Sequence, residues 1–495
     1  MAVQDPNSDY KKHLGGAIKC RDCVAGEEVI HSKGREYLPG LAGSDRDKDV
    51  RSAYADYLKR ALYYNTVGRT LLFLKGLAER NPAITKFPED LPYAEEDITG
   101  NGESFTDFQS TVLQDTLIVG YGGILVDYDK VPEGVQTREE ARKSGLRARM
   151  TWYPMESVFN TDYGIRLFES ETVEKSEFDI VDEDRIKVLD LDEEGDYRQR
   201  MYKPGDKGEW VQYGEVVYPM MNGKRMRSIP FYPCGANVNT LKINKPPLLD
   251  LAEVSLHHYG VYADYRNGIH FTGFPQLYIA GHADNGKLMM GSGVAWTFEE
   301  ATATVKYAEF TGKGLDHPEK LLDRLEAFSA KLGARMLMTE KKTAESADKV
   351  KQDSSSESSL LAGIANNVSS ALTKALKTMF DFEGVNSSDV LVELNTDYDA
   401  SNIEPSLLVA LMKGVQSNLI THETFLYNLK RGEILSHDTE IDDEMKILNK
   451  LKKEAVDKEE ADAKALSERN AAGLKDPDDE LRDDTRSKTD YDMDK

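Results

Sequence analysis

Cysteine is scarce in this chain, and features that would indicate a membrane or secreted protein are missing. The 495 residues include three cysteines. No apolar run reaches the about 18 residues that a membrane-spanning helix needs. The chain does not begin with a basic segment followed by an apolar one, so we expect no secretory signal. These absences predict a protein that acts in a cytoplasm or in a particle assembled there.

Basic residues are also fewer than acidic residues. The chain has 63 Lys and Arg against 87 Asp and Glu, a formal net charge of −24. Sequence-specific DNA binding needs clustered cations that displace counterions from phosphates, so this balance argues against a tight grip on DNA. It is compatible with loose handling of DNA, because acidic walls repel phosphates and avoid sticking.

Common catalytic motifs are missing as well. The glycine turn at residues 120–123 precedes a strand at 124–128, which reverses the order of a nucleotide-binding loop. Asp127 and Asp129, like Asp397 and Asp399, have the spacing of a metal-binding carboxylate pair, although such pairs at strand ends are more often solvated turn residues. We predict no catalytic residues and no cofactor. A metal-dependent enzyme using Asp127 and Asp129 remains the alternative.

The cysteines could in principle serve a metal. Cys20 and Cys23 form a CxxC pair, distantly flanked by His13 and His31, but these outer spacings match no standard zinc finger. We therefore expect no metal and predict reduced thiols in a polar, poorly ordered N-terminal arm at residues 1–34. Cys234 is predicted to be packed.

The chain is organised around residues 247–380, where three helices are predicted. Apolar residues at spacings of three and four predict a first helix from Pro247 that is apolar on two faces. A second helix begins at Asp316 as N-cap and carries an apolar stripe. The third helix carries the stripe Leu361, Ile364, Val368, Leu372, Ala375 and Met379.

Two connections separate these helices. Short strand candidates at residues 276–280, 294–298 and 305–310 lie between the first and the second. Residues 340–358, before the third, are charged and serine-rich, with only three apolar residues, so they cannot bury a face. We expect a mobile loop or a solvated helix there.

The remaining segments predict a mixed α+β fold. Upstream, helices are expected from Arg51 to about Arg80 and at 104–119, followed by a β-rich region at 150–235. Hairpins are predicted at 186–202 and at Asn222-Gly223. Downstream, we expect a strand at 390–394, a helix at 404–412, a solvated helix to about residue 466 and disorder from 473.

The order of these pieces has a precedent. The segments that match a known protein family are Asp250-Leu-Ala-Glu-Val, Tyr259, Ala263-Asp-Tyr-Arg-Asn267, Phe271, the run 275–281, the run 414–433 with Thr421 where serine is usual, and the acidic helix from Asp442. Residues 97–108 and 119–128 add to it. In this order the chain resembles the portal proteins of tailed double-stranded DNA bacteriophages over about residues 35–450.

The resemblance implies a multidomain subunit with an α/β wing, a two-helix stem, a small clip, a tunnel loop and a helical crown. The implied parts are an arm (1–34), wing (35–246), first stem helix (247–275), clip (276–315), second stem helix (316–339), tunnel loop (340–358), returning wing segment (359–432), crown (433–472) and acidic tail (473–495). Stem packing is expected at Leu251, Leu256, Tyr262, Leu325, Phe328 and Leu332.

The resemblance also implies a function. Portal subunits form a ring, a dodecamer in the virion, at one capsid vertex, through which DNA is packaged, retained and ejected. Lys341, Lys342, Lys349 and Lys351 would offer weak contacts to non-specifically passing DNA. Implied partners are further copies of the chain, the terminase large subunit, the head-tail adaptor, and the major capsid and scaffolding proteins. ATP hydrolysis would belong to the terminase. Another capsid or adaptor protein remains a competing interpretation.

Overall fold

The chain divides into two units, Met1–Tyr398 and Asp399–Lys495. The computed structural model describes residues 2–40, 48–88, 91–128, 138–176, 179–205, 207–273, 275–280, 302, 304–308, 314–336, 359–396, 398, 411–415, 417, 419–431, 435, 439 and 441–471. In these ranges no helix is long and apolar enough to cross a membrane.

The first unit mixes helices with antiparallel sheets, as the α+β prediction requires. Its described helices are α1 (Ser8–Ala25), α2 (Glu27–Lys33), α3 (Lys48–Arg60), α4 (Thr66–Ala78), α5 (Tyr93–Glu96), α6 (Phe105–Val119), α7 (Arg138–Lys143), α8 (Leu249–Thr272), α9 (Asp316–Arg335) and α10 (Leu360–Glu383). Short 3-10 turns occupy Gly34–Glu36 and Met155–Ser157.

Fourteen described strands complete this unit. They are β1 (Ile84–Lys86), β2 (Tyr121–Tyr128), β3 (Ala148–Pro154), β4 (Val158–Asn160), β5 (Ile165–Ser176), β6 (Asp179–Leu191), β7 (Tyr197–Pro204), β8 (Trp210–Val217), β9 (Met220–Met221), β10 (Lys224–Arg225), β11 (Phe231–Gly235), β12 (Gln276–Ala280), β13 (Thr304–Ala308) and β14 (Leu391–Glu393). The largest sheet has the order β4-β5-β6-β7-β8, and a second has the order β11-β2-β3. Pairs β1-β14, β9-β10 and β12-β13 make the rest.

Both predicted hairpins are confirmed. Ile186 pairs with Tyr202 across β6 and β7. In the smaller hairpin Lys224 pairs with Met221, while Asn222 and Gly223 take positive φ angles of 53° and 74°. Asn-Gly tolerates these angles, which a two-residue turn between twisted strands requires. Turn chemistry therefore identified the loops of this β-rich region.

The core of the first unit forms around α10. The predicted stripe from Leu361 to Met379 is fully buried, and α10 packs on α6, β2 and β11. Gly122 and Gly123 lie inside β2 rather than in the predicted glycine turn, because the rings of Trp152 and Phe231 cover them and leave no space for a Cβ atom. Only Gly120, at φ 75°, ends α6 in the left-handed conformation.

The expected N-terminal arm is wrong, because residues 8–25 and 27–33 form packed helices. Asn7 caps α1 by accepting a hydrogen bond from the Tyr10 amide at 2.8 Å. Small residues on α1 allow a close approach to α8, and a Cβ at Gly16 would lie 3.0 Å from Leu249 Cδ2. Cys20 and Cys23 are both fully buried. Low apolar content concealed a helix that packs through small side chains.

The single helix expected from Arg51 to about Arg80 is also wrong. It is divided into α3 and α4, with a break at residues 61–65. Asn65 caps α4 by accepting from the Gly68 amide at 2.7 Å. The Tyr63 hydroxyl in the break donates to the Cys23 carbonyl at 3.2 Å. The break therefore directs the Tyr63 side chain into the core. A continuous helix would place this side chain elsewhere.

The second unit is helical where it is described. Residues 411–415 are helical, followed by α11 (His422–Arg431) and α12 (Ile441–Ala471). Thr421 accepts a hydrogen bond from the Thr424 amide at 3.1 Å at the start of α11. Helix α12 coincides with the solvated helix predicted in the crown segment. Most of the predicted helix at 404–412, and the tail from 473, fall outside the described ranges.

Candidate functional site

Helices α8 and α9 form an antiparallel pair. A Cβ at Gly268, near the end of α8, would lie 2.9 Å from Leu315 Cδ2 at the start of α9. Further along, His258 Nε2 lies 3.5 Å from Glu326 Oε1. At about 1.5 Å rise per residue, the helices are about 36 Å and 30 Å long. The two helices predicted at 247–275 and 316–339 are thus present and adjacent, with observed bounds Leu249–Thr272 and Asp316–Arg335.

Helix α9 begins differently from the prediction. Its N-cap is Leu315, and no side chain accepts a capping hydrogen bond. Asp316 therefore occupies the first turn instead of the N-cap. A carboxylate there still interacts favourably with the positive end of the helix dipole.

The residues predicted for stem packing fall into three groups. Leu251 and Leu325 are buried, and Leu256, Leu332 and Tyr262 are partly buried. Phe328 is 51% exposed. Leu322 and Ser329 are buried in its place, so the packed face of α9 is rotated from the expected stripe. Sequence reasoning missed Ser329 because it is polar; its hydroxyl donates to the Leu325 carbonyl at 3.0 Å.

His258 lies between the two helices with little exposure. Its ring stacks on Tyr262 at 6.1 Å and contacts Tyr64 at 5.9 Å. Burial lowers the pKa of His258, and the nearby Glu326 carboxylate opposes part of that effect. Its distance from Glu326 exceeds ordinary hydrogen-bond length. The neutral imidazole is thus the form that the folded chain favours.

This pKa shift predicts a pH-dependent contribution to stability. A depressed folded-state pKa contributes stability above the ordinary histidine pKa, and that contribution is lost as the pH falls through the folded-state pKa. We expect the melting temperature to fall between about pH 7.5 and about pH 5.5, and to fall less in His258→Phe, which retains ring packing. The exposed neighbour His257→Phe is the matched control. Equal pH dependence in the two variants would contradict the assignment.

A two-stranded ribbon lies between the end of α8 and the start of α9 in the chain. Strands β12 and β13 are antiparallel, with Gln276 opposite Ala308. Every residue of β13 is exposed, and Tyr278 and Tyr307 are 46% and 56% exposed. Two of the three predicted clip strands are therefore confirmed, and the third, at 294–298, lies outside the described residues. A two-stranded ribbon on its own is marginally stable in water, and among the described residues β12 and β13 pair with each other and with no further strand.

At the opposite end, the chain leaves α9 and re-enters α10 at one point. The Leu361 amide donates to the Met336 carbonyl at 3.2 Å. Residues 337–358 between them are not described, so Lys341, Lys342, Lys349 and Lys351 remain predictions. The described residues on either side of this segment, Met336 and Leu361, are therefore hydrogen-bonded to each other.

Asp127 lies on β2 beside a lysine. Gln199 Nε2 donates to Asp127 Oδ1 at 3.1 Å, and Lys187 Nζ lies 4.0 Å from Asp127 and 3.0 Å from Glu169. Burial raises the pKa of Asp127, an effect that Lys187 partly offsets. Within the described ranges, which omit Asp129, Asp397 and Asp399, no three His, Cys, Asp or Glu side chains group to hold a metal. The surroundings of Asp127 are those of a structural ion-pair network.

The CxxC pair is packed in the core. Burial raises the pKa of the Cys20 thiol to about 12 and that of Cys23 to about 11. Cys23 Sγ lies 3.9 Å from the Ala252 carbonyl of α8, and Cys234 is buried beside Thr116. Zinc binding needs thiolates, which this environment disfavours. The thiols help to join α1 to α8.

Comparison with known proteins adds three findings. Residues 247–383, which include α8, α9 and α10, match a family described as "Domain of unknown function (DUF4055)". No curated protein matches the chain. Several solved structures are similar at low sequence identity.

One is the neck of an empty GTA particle computed with C6 symmetry, at 13% identity, 82% coverage of this chain, 99% of that chain and a TM-score of 0.37. The neck of a native GTA particle computed with C12 symmetry has 12% identity, coverages of 74% and 89%, and a TM-score of 0.34. The virion of a native gene transfer agent (GTA) particle has 12% identity, covers 82% of this chain and 99% of that chain, and has a TM-score of 0.32. These overlaps do not by themselves establish a shared fold.

Proposed function

We propose that the chain is the subunit of a portal ring at one vertex of a phage-type capsid. The helix pair α8 and α9 is its stem, the β12–β13 ribbon is part of its clip, and residues 340–358 are its tunnel loop. The ring passes double-stranded DNA during packaging, retains it, and releases it at ejection. It assembles in the host cytoplasm and stays in the virion.

The single observation that carries this proposal is the exposed ribbon at the end of two long helices. A ribbon that has no core among the described residues would be completed by neighbours, and identical neighbours in a closed ring supply the same surface to every copy. An adaptor monomer gives no reason for an exposed ribbon on a roughly 36 Å helical support.

The hydrogen bond between Met336 and Leu361, on either side of residues 337–358, supports the same assignment. An insertion tethered at Met336 and Leu361 can project from a rigid stem without disturbing the core. Its near-balanced charge suits a channel, because Lys341, Lys342, Lys349 and Lys351 alternate with the acids Glu340, Glu345, Asp348 and Asp353. Each phosphate contact there would be weak and readily replaced.

On this proposal the clip meets the terminase large subunit during packaging and the head-tail adaptor afterwards. The major capsid and scaffolding proteins contact the ring during assembly. The chain itself performs no chemistry, and the terminase hydrolyses ATP.

The test is whether the purified chain forms closed rings with an axial hole. Rings support the portal subunit. Compact oligomers without a hole, formed also in the presence of scaffolding protein, would favour another capsid or adaptor protein. A divalent-metal-dependent activity lost in Asp127→Asn would instead favour the enzyme alternative.

A further inference from the structure

Helix α9 carries opposite charges on two separate flanks. We propose that these flanks form the contact between neighbouring copies: the basic flank of one subunit meets the acidic flank of the next. This inference rests on the proposed ring and specifies which surface closes it.

The basic flank consists of four exposed side chains. Their spacings of four, seven and four residues place them on one side of the helix; they are Lys320, Arg324, Lys331 and Arg335. None of the four forms an ion pair within the part of the chain that the structure describes. Arg324, Lys331 and Arg335 also lack any acid three or four residues away in the sequence. Their own helix therefore leaves them unneutralised.

The acidic flank lies on the other side of the same helix. Its spacings of three, four and three residues again define one side, and its members are Asp316, Glu319, Asp323 and Glu326, all exposed. Glu326 is the member nearest to α8, 3.5 Å from His258. The two flanks carry four charges each, so they are matched in number as well as in sign.

This segregation works against the isolated helix. Like charges at i and i+4 repel, and α9 contains three such pairs: Lys320 with Arg324, Lys331 with Arg335, and Glu319 with Asp323. A helix stabilised by its own side chains would alternate the signs. The pattern becomes favourable when each flank faces the opposite sign on another molecule.

An apolar edge borders the basic flank. Leu321 and Phe328 are 37% and 51% exposed and lie between the basic flank and the packed face that contains Leu325. Apolar side chains flanked by charge are typical of protein interfaces, where the charges set register and the apolar groups exclude water. This edge accounts for the exposure of Phe328.

A second copy fits these features better than DNA does. A duplex would attract the basic flank, but it would gain nothing from Phe328 and would be repelled by the acidic flank. A second copy uses both flanks and the apolar edge. A contact between two different surfaces of identical chains is heterologous, and such contacts generate a closed ring when the rotation between neighbours closes.

Two variants isolate the contact. The acid-only variant is Arg324→Glu/Lys331→Glu/Arg335→Glu, which changes the basic flank from +4 to −2 (one Lys remaining minus three Glu). The base-only variant is Glu319→Lys/Asp323→Lys/Glu326→Lys, which changes the acidic flank from −4 to +2 (three Lys minus one Asp). Thermal melts followed by circular dichroism establish that each one folds.

We expect neither variant to form rings alone, because every contact would then join like charges. Mixed in equal amounts, the two variants should form rings in which they alternate. Native mass spectrometry, with one variant isotopically labelled, should then find equal numbers of the two variants in each ring. The control Lys450→Glu/Lys453→Glu/Lys458→Glu makes the same charge change of −6 at exposed positions of α12 and should form rings as the wild type does.

Several outcomes separate this inference from the proposed function. Wild-type protein that never forms rings contradicts the portal proposal itself. Wild-type rings together with intact rings of the acid-only variant would overturn the flank contact. If those intact rings retain less DNA, the basic flank faces the channel. Folded variants that fail to assemble even when mixed would also overturn the flank contact.

Discussion

A chain in which Gly-Ser-Gly replaces residues 340–358 is expected to form the same rings as the wild type and to yield particles that lose most of their DNA. The described ends explain why the ring should survive: the Met336 carbonyl and the Leu361 amide are 3.2 Å apart, so a short linker spans the gap. No buried residue of the described core is removed. Packaged DNA per capsid, measured after nuclease treatment, gives the effect.

A matched variant separates the length of this segment from its charge. Lys341→Gln/Lys342→Gln/Lys349→Gln/Lys351→Gln keeps every residue but removes the four cations. Because each lysine–phosphate contact is expected to be weak and screened by salt, this variant should lose less packaged DNA per capsid than the deletion does. A deletion that unfolds the chain would mean that the segment belongs to the core, and normal DNA content would contradict its assignment as the tunnel loop.

The second large effect is expected at the N-terminal helix. Arg21 of α1 donates to Asp115 at 3.0 Å and to Glu156 at 3.0 Å. Trp152 Nε1 donates to the same Asp115 carboxylate at 2.8 Å. Removing one partner of a shielded ion pair leaves charges unpaired, which in a fully buried setting costs about 3–5 kcal/mol. Because these groups keep partial exposure, we expect Arg21→Ala to lower the free energy of unfolding by about 2–3 kcal/mol.

Urea denaturation followed by tryptophan fluorescence measures this change. Arg21→Lys retains the positive charge but not the forked hydrogen bonding, so its free energy of unfolding should lie between those of Arg21→Ala and the wild type. Lys12→Ala, exposed on the same helix, is the control and should be nearly neutral. An unchanged midpoint in Arg21→Ala would show that these ion pairs do not anchor α1 to α6 and to the 3-10 turn at Met155–Ser157.

Local rules predicted the elements whose signals are local. The stripe of α10 from Leu361 to Met379 is strictly helical and wholly buried. The Asn222-Gly223 turn could be predicted from the sequence because few residue pairs tolerate its backbone angles. Helix α6 was predicted at residues 104–119, and Ser104 caps it by accepting a hydrogen bond from the Asp107 amide at 3.1 Å. In each case neighbouring residues carry the information.

The errors arose where tertiary packing decides. Helix α1 buries small and sulfur-containing side chains, a pattern that resembles a polar arm in sequence. The break before α4 depends on Tyr63 reaching Cys23, a contact made across 40 residues. Gly122 and Gly123 resemble a turn, but they lie in β2 because two aromatic rings occupy their faces.

The candidate site divides in the same way. The helix pair and two clip strands were predictable from periodicity. The packed face of α9 was not, because Ser329 is buried and Phe328 is exposed. The proposed contact between copies would cover Phe328, and no intrachain pattern encodes a contact with another molecule.

The central claim is tested most directly by negative-stain imaging of the purified chain together with mass photometry, with and without scaffolding protein as a nucleator. The account predicts closed rings with an axial hole and a mass near that of a dodecamer of the 55.5 kDa chain. Monomers that still fail to assemble with scaffolding protein at high concentration would contradict it.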